Sequence, residues 1–379
     1  MNKASISAPV TETEERSTSS AAQVSADEAL GNMAAEPTPG ALPDEKPLSR
    51  LRVKWYRCKV PREELSKFNQ RNDFLGAAQT LGYLGVLATA SGTAIYSWAH
   101  WPWYLTALLV FVNGHFWHFL INGFHELIHD SVFKSRWLNQ FFLRIYSFLG
   151  WYNHHHFWAS HTEHHKYTLH APHDLEVVIP FTVNPRNWLK QGIVNIRYPH
   201  TQLLGMFRMA RGKLDQGKWT QQLFPESAPD RRRALFDWAR IVLLGHLLIA
   251  GVSLAMGWWI VLLVITFPKM FGSWLQNMCN STQHAGLQDN VPDYRICCRT
   301  NYLNPVLQFL YWHMNYHIEH HMFAGVPCYK LGKLHRRIKD DLPPCTSGLY
   351  ETWKEILKIQ NQQKEDPGYV FVPQLPETE

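Results

Sequence analysis

The sequence predicts an all-α integral-membrane protein, with four transmembrane helices in two hairpins capped by a mainly helical domain on the cytoplasmic side. Three observations predict it. From Phe74 to Phe124 there is no Lys, Arg, Asp or Glu, and a second uncharged block runs from Ile241 to Phe267, extending with its apolar flanks from about Ala234 to Met278. Basic residues gather before and between these blocks. Charged residues make up only 18% of the 379, against the roughly 25% of an average soluble domain, while aromatics reach 13%.

Taken in chain order, residues 1–48 are rich in Ala, Ser, Thr, Glu and Pro, without an apolar run or cleavage pattern, and predict a disordered tail with no signal peptide. The body is expected over 49–350, with a C-terminal tail over 351–379. The first uncharged block is long enough for two spans of roughly 20 residues each. Its turn is expected at Trp98–Trp103, where Pro102 interrupts the helix and the tryptophans suit a membrane–water interface. In the second block, Gly257-Trp258-Trp259 marks the corresponding turn.

Arg50, Arg52, Lys54, Arg57 and Lys59 precede the first hairpin; Arg208, Arg211, Lys213, Arg231, Arg232 and Arg233 lie between the two; neither turn carries a charge. By the positive-inside tendency, both termini and the middle segment are cytoplasmic. Topology thus accounts for the net charge of +6, and no DNA-binding motif accompanies it. The mean hydropathy of −0.26 averages a polar tail and a histidine-rich middle with intensely apolar blocks. In a soluble protein those blocks would have to be covered entirely by other chain. The six cysteines (Cys58, Cys279, Cys297, Cys298, Cys328, Cys345) show no CxxC pair and suggest no disulfide framework.

Three histidine clusters stand just outside the expected spans on the cytoplasmic side: His125-Glu-Leu-Ile-His129, His161-Thr-Glu-His164-His165 and His317-Ile-Glu-His320-His321. Residues three and four apart share a helix face, so each cluster can aim imidazoles at one point. Imidazole suits iron, zinc, copper and nickel, whereas magnesium and calcium want oxygen donors. These clusters hold more imidazoles than one ion takes, since zinc is satisfied by four ligands and a mononuclear iron triad by three. Two metals are implied.

The boxes resemble those of the membrane fatty-acid desaturase and hydroxylase superfamily, whose pattern is HxxxH or HxxxxH, then HxxHH, then HxxHH or QxxHH. The resemblance covers roughly Asn69 to Tyr350. In structurally known acyl-CoA desaturases of this family a ninth histidine follows the fourth span, preceded four residues earlier by an asparagine that reaches metal through water; here the chain reads Asn280-Ser-Thr-Gln-His284. The resemblance therefore implies two iron ions held by His125, His129, His161, His164, His165, His284, His317, His320 and His321, with Asn280 acting through water. Metal-bound imidazoles commonly donate their other ring N–H to a carboxylate, which makes Glu126, Asp130, Glu163, Asp174 and Glu319 candidates for that supporting role. No superfamily pattern assigns His154, His155, His156, His170 or His173, and His115 and His118 are expected to line an upper cavity or pack in a helix.

An unactivated methylene has no acidic proton, so a cofactor must carry the hard chemistry. A reduced di-iron centre with O2 as co-substrate would supply it. Trp98, Trp101, Trp103, Phe111, Phe116, Trp117 and Phe119 are expected to offer an apolar channel for a fatty acyl chain. The two electrons must come from an external donor, because the chain has no iron–sulfur pattern, no GxGxxG and no fused cytochrome b5 motif. A separate ferredoxin or cytochrome b5-like carrier with its reductase is implied, and the basic stretch Arg208–Arg233 would dock it or anionic lipid.

Introduction of a C=C bond is the expected reaction, because the HTEHH and HIEHH forms resemble acyl desaturases. A fatty acyl hydroxylase, or an oxidative decarboxylase forming a terminal alkene, would share the same iron shell. The rival from another class, a histidine-rich metal transporter, predicts polar ligands near mid-membrane rather than beside the spans.

Overall fold

The computed structural model describes residues 51–179, 192–214 and 217–376, so the expected N-terminal tail lies outside the described residues. A short α1 (Arg62–Phe68) leads to α2 (Asp73–His100), whose first turn is capped by the Asn72 side chain accepting from the Leu75 amide at 3.0 Å. At 1.5 Å per residue the 28 residues of α2 extend about 42 Å, more than the roughly 30 Å of a bilayer core. After the expected break at Trp101-Pro102, α3 (Trp103–His118) runs back and continues through Phe119 into α4 (Leu120–Ile128).

The chain then forms α5 (Arg136–Leu149), α6 (His154–Tyr167), α7 (Arg197–Ala210), α8 (Lys218–Leu223) and the long α9 (Pro229–Ala255). Among the described residues, two helices are long and apolar enough to cross a membrane, Trp103–Ile128 and Pro229–Ala255. The returning arm of the expected second hairpin is not a continuous α-helix. Gly257 turns the chain with φ of 71°, after which come only a π turn (Leu262–Thr266) and a 3-10 turn (Pro268–Met270). Pro268 has no amide to continue a helix, and Gly272, at φ of 67°, redirects the backbone.

Irregular backbone between apolar helices needs side-chain partners. Asn113 Nδ2 and Ser91 Oγ both donate to the Val264 carbonyl, at 3.0 and 3.2 Å, and Trp117 Nε1 closes the network on Ser91 Oγ at 3.1 Å. The two turns meet at one end of the molecule, where the Trp98 and Trp259 rings stand edge to face at 5.5 Å. Facing outward along α9, Leu244 and Leu248 are 65% and 69% exposed, and Trp103 at the first turn is 80% exposed. Such apolar exposure is what a lipid-facing surface presents.

The remaining chain packs at the opposite end from the turns: α10 (Trp274–Ser281), α11 (Tyr294–Cys297), α12 (Pro305–Leu310), α13 (His317–Met322), α14 (Cys328–Ile338) and α15 (Gly348–Glu365). A two-residue parallel pair, β1 (Asn301–Tyr302) with β2 (Thr346–Ser347), and two isolated bridges accompany the mostly helical described residues. Residues after Tyr350, expected as a tail, open as helix: Trp353, Ile356 and Ile359 of α15 are buried, and Trp353 Nε1 donates to the Met278 carbonyl at 3.0 Å. The largest core cluster links Tyr83 and Leu87 of α2 to Phe124 and Leu127 of α4, Tyr146 of α5 and Trp312, directly beneath the histidine-bearing elements.

Candidate metal centre

Each histidine box is fixed by its own local device. All nine residues of α4 are buried, and Gly123 lets it approach the Tyr146 and Trp312 rings so closely that a Cβ would meet them at 2.5 and 2.6 Å. That close contact sets the depth of His125, while His129 caps the helix before Asp130 turns out of it with φ of 55°. On α6, the Asn153 side chain accepts from the amides of His155 and His156, so the helix starts where His161, His164 and His165 fall on one inner face. The short α13 buries all six of its residues, including His317, His320 and His321.

The imidazoles converge in two adjacent groups. His125, His129, His161, His165 and His320 form one; His284, His317 and His321, joined by Cys298, form the other; within each group the donor atoms lie within 4.8 Å of one another. His164 stands against the second group, its ring 5.0 Å from that of His321 and 5.7 Å from that of His284. The groups touch through His165 and His321, whose rings stack at 4.4 Å. Asn280 lies in the last turn of α10, four residues before His284.

The outer ring nitrogens of His125, His161, His164, His284 and His321 are held by acceptors, whereas His317 Nδ1 is buried without one. His161 Nδ1 lies 2.6 Å from Glu176 Oε1, His164 Nδ1 2.8 Å from Asp174 Oδ2, and His284 Nδ1 2.8 Å from the Cys297 carbonyl. Glu126 Oε1 sits 3.2 Å from His125 Nδ1 and 3.3 Å from His320 Nδ1. Thr168 Oγ1 is 3.2 Å from His321 Nδ1. An imidazole that donates from Nδ1 presents a lone pair at Nε2. Those Nε2 atoms face one another: His161 to His129 at 3.2 Å, His161 to His165 at 3.0 Å, His165 to His320 at 3.2 Å, His317 to His284 at 3.0 Å and His317 to His321 at 3.1 Å.

A single Nε2–H on His165 or His317 meets only one of its two facing nitrogens well, and the lone pairs left opposed at about 3 Å are what a cation between them would relieve. Burial, reinforced by the neighbouring rings, holds His161, His165, His317, His320 and His321 well below the ordinary histidine range, which keeps them neutral as metal ligands must be. His164 differs. Burial pulls it down, but the Asp174 carboxylate outweighs burial and raises it. The donor set therefore fits nitrogen-preferring metal ions, and the clusters could hold them.

Not every expected carboxylate joins the site. Glu126 and Asp174 do, but Glu163 pairs with Lys166 at 2.9 Å on the outer face of α6, because position 163 points away from the face shared by 161, 164 and 165. Asp130 contacts Arg136 at 3.7 Å, since the left-handed turn at that residue swings it off the helix. Glu319, between two box histidines in sequence, accepts from Thr300 Oγ1 at 2.6 Å and pairs with His335 of α14. Glu176, Thr168 and Cys298 were missed. They lie too far along the chain from their partners for any helical spacing to show it.

Of the unassigned histidines, His154 packs edge to face on Trp238, His170 on Trp55, and His115 on Phe111. A cleft of about 750 Å³ opens onto His129, His161 and His165, with Arg52, Lys54 and Lys166 among its walls. The first-hairpin aromatics expected to form a channel do not line this cleft. Trp101 and Trp103 face outward, whereas Trp117 and Phe119 are buried in packing.

No curated protein gives a significant match to this chain. A family model does match, that of the fatty acid desaturases, over residues 99–350, a region containing all three histidine boxes, His284 and the two long apolar helices. The family's enzymes are oxidoreductases of lipid metabolism, membrane-associated and typically metal-dependent, in keeping with buried histidine groups able to hold metal. The chain belongs to the fatty acid desaturase family.

Proposed function

We propose that this protein is an O2-dependent, non-haem di-iron desaturase that introduces a C=C bond into a fatty acyl chain at the cytoplasmic face of a membrane. The observation that carries the reading is the pair of adjacent histidine groups whose Nε2 lone pairs face inward while carboxylates, a hydroxyl and a carbonyl hold the outer nitrogens. His125, His129, His161, His165 and His320 hold one iron; His164, His284, His317 and His321 hold the other, with Asn280 contributing through water. When bound, the reduced iron pair supplies the oxygen activation that side chains cannot. The residues of this chain keep the imidazoles neutral and oriented and exclude bulk water from the buried donors.

The membrane reading is multi-pass: α2 with α3–α4, and α9 with the irregular return after Gly257, form four crossings, with termini and histidines on the cytoplasmic side. The outward Leu244 and Leu248 and the aromatic cluster at the two turns support it. An external electron carrier, ferredoxin or cytochrome b5-like, delivers electrons to this face. Exposed Arg208, Arg211 and Lys213 suit an acidic partner there.

The test is lipid extraction and mass spectrometry of cells with and without the chain. The expected result is a new double bond in an acyl chain, abolished by His164→Ala and by His320→Ala while both variants remain in the membrane fraction. A new hydroxyl or a terminal alkene would replace desaturation with hydroxylation or decarboxylation at the same site. Vesicle metal uptake without oxygen consumption would instead indicate a transporter.

A further inference from the structure

Cys298 lies among the second group of donors although no histidine spacing points to it. Its Sγ is within 4.8 Å of the donor nitrogens of His284, His317 and His321, and all four side chains are buried. The thiol's hydrogen-bond neighbour is Cys297 Sγ at 3.9 Å, a separation at which sulfur contributes little. The geometry suits a shared ion. With metal–sulfur and metal–nitrogen bonds of about 2.3 and 2.1 Å, donors on opposite sides of one ion stand about 4.4 Å apart and adjacent donors closer.

We propose that Cys298 is a thiolate ligand of the second metal, alongside His164, His284, His317 and His321. The proposal rests on the two-metal reading given above. As the sulfur–metal bond forms, the S–H bond breaks and its proton leaves to solvent; no electron changes hands. The Cys297-Cys298 dipeptide then serves the ion twice, through the Cys297 carbonyl that orients His284 and through the Cys298 sulfur that binds directly. The two ions become chemically unequal, five imidazoles on one and a softer, more electron-donating set on the other.

The full chain, purified in detergent and loaded with cobalt(II) alone, provides the test. Wild type and Cys297→Ala should show a thiolate-to-cobalt charge-transfer band in the near ultraviolet, and Cys298→Ser and Cys298→Ala should lack it. Wild type with two cobalt ions bound and no such band, or a band that survives in Cys298→Ser, overturns the proposal. If the Cys298 variants do not fold, X-ray absorption of the wild-type cobalt protein decides: a sulfur neighbour at about 2.3 Å supports it, and a shell of nitrogen and oxygen alone overturns it. A wild-type protein that binds neither cobalt nor iron defeats the two-metal reading itself. Two ions in a purely nitrogen and oxygen shell defeat only the thiolate.

Discussion

Glu176 and Asp174 act on His161 and His164 from one short stretch of chain, and each fixes which ring nitrogen carries the proton. Replacing Glu176 by Gln should weaken metal binding about 10- to 100-fold, the range found for carboxylates behind metal-bound imidazoles, which a competition titration with a chelator would measure. Unchanged affinity would deny Glu176 that role. The same carboxyl gives the metal-free protein a pH dependence. Burial pushes Glu176 up to about 7, so the folded state holds a proton that the unfolded chain releases above about 4.5. The folded state is thus favoured at low pH, and that contribution is lost as pH rises from about 4.5 through 7. Relative to Glu176→Gln, the thermal midpoint of metal-free wild type should fall between pH 5 and pH 8, on top of the opposite trend that the depressed box histidines give both proteins. Asp174 runs the other way: burial raises it, but the His164 ring and the amides of Leu169 and Glu176 outweigh burial and hold it below the usual carboxylate range. Its contribution is present above about 3.8 and lost only under stronger acid. The sequence named Asp174 and Glu126 because they neighbour the boxes, and for the same reason also named Glu163, Asp130 and Glu319, which serve other partners. Nearness along the chain does not say which way a side chain points.

Helix α4 shows what spacing alone establishes and what packing adds. The four-residue interval from His125 to His129 is enough to place both on one face, but the depth of that face depends on Gly123 beneath two fully buried rings. Gly123→Ala should push Tyr146 or Trp312 aside and cost about 1 to 3 kcal/mol, seen as a lower thermal midpoint with reduced metal content. A variant as stable and as metal-replete as wild type would show that α4 is free to shift. The return from α9 was the least legible element. An uncharged run predicts burial in an apolar setting, yet Pro268 and Gly272 break the backbone just past its end, and the carbonyl left free at Val264 is bound by Asn113 and Ser91 of the first hairpin. That compensation depends on residues 151 and 173 positions upstream, beyond the reach of any local pattern.

The molecule as a whole separates two chemistries by position. One end carries the turns with their exposed tryptophans, and the other carries every box histidine, with apolar helices between. The hairpin turns and the three boxes were readable because uncharged length and imidazole spacing are local signals. The joining of α6, α13 and the loop bearing His284 into one site was not, since it arises from long-range packing; the family resemblance supplied it. If the membrane reading holds, a tag inserted after Gly257 should be reached by an impermeant reagent only from the side opposite one placed in the cytoplasmic segment at Lys213. Labelling of both tags from one side would contradict the hairpin topology. The most direct test of the central claim is the metal content of active, purified protein. About two irons per chain are expected, lost together with turnover in His320→Ala. One zinc per active chain would contradict it.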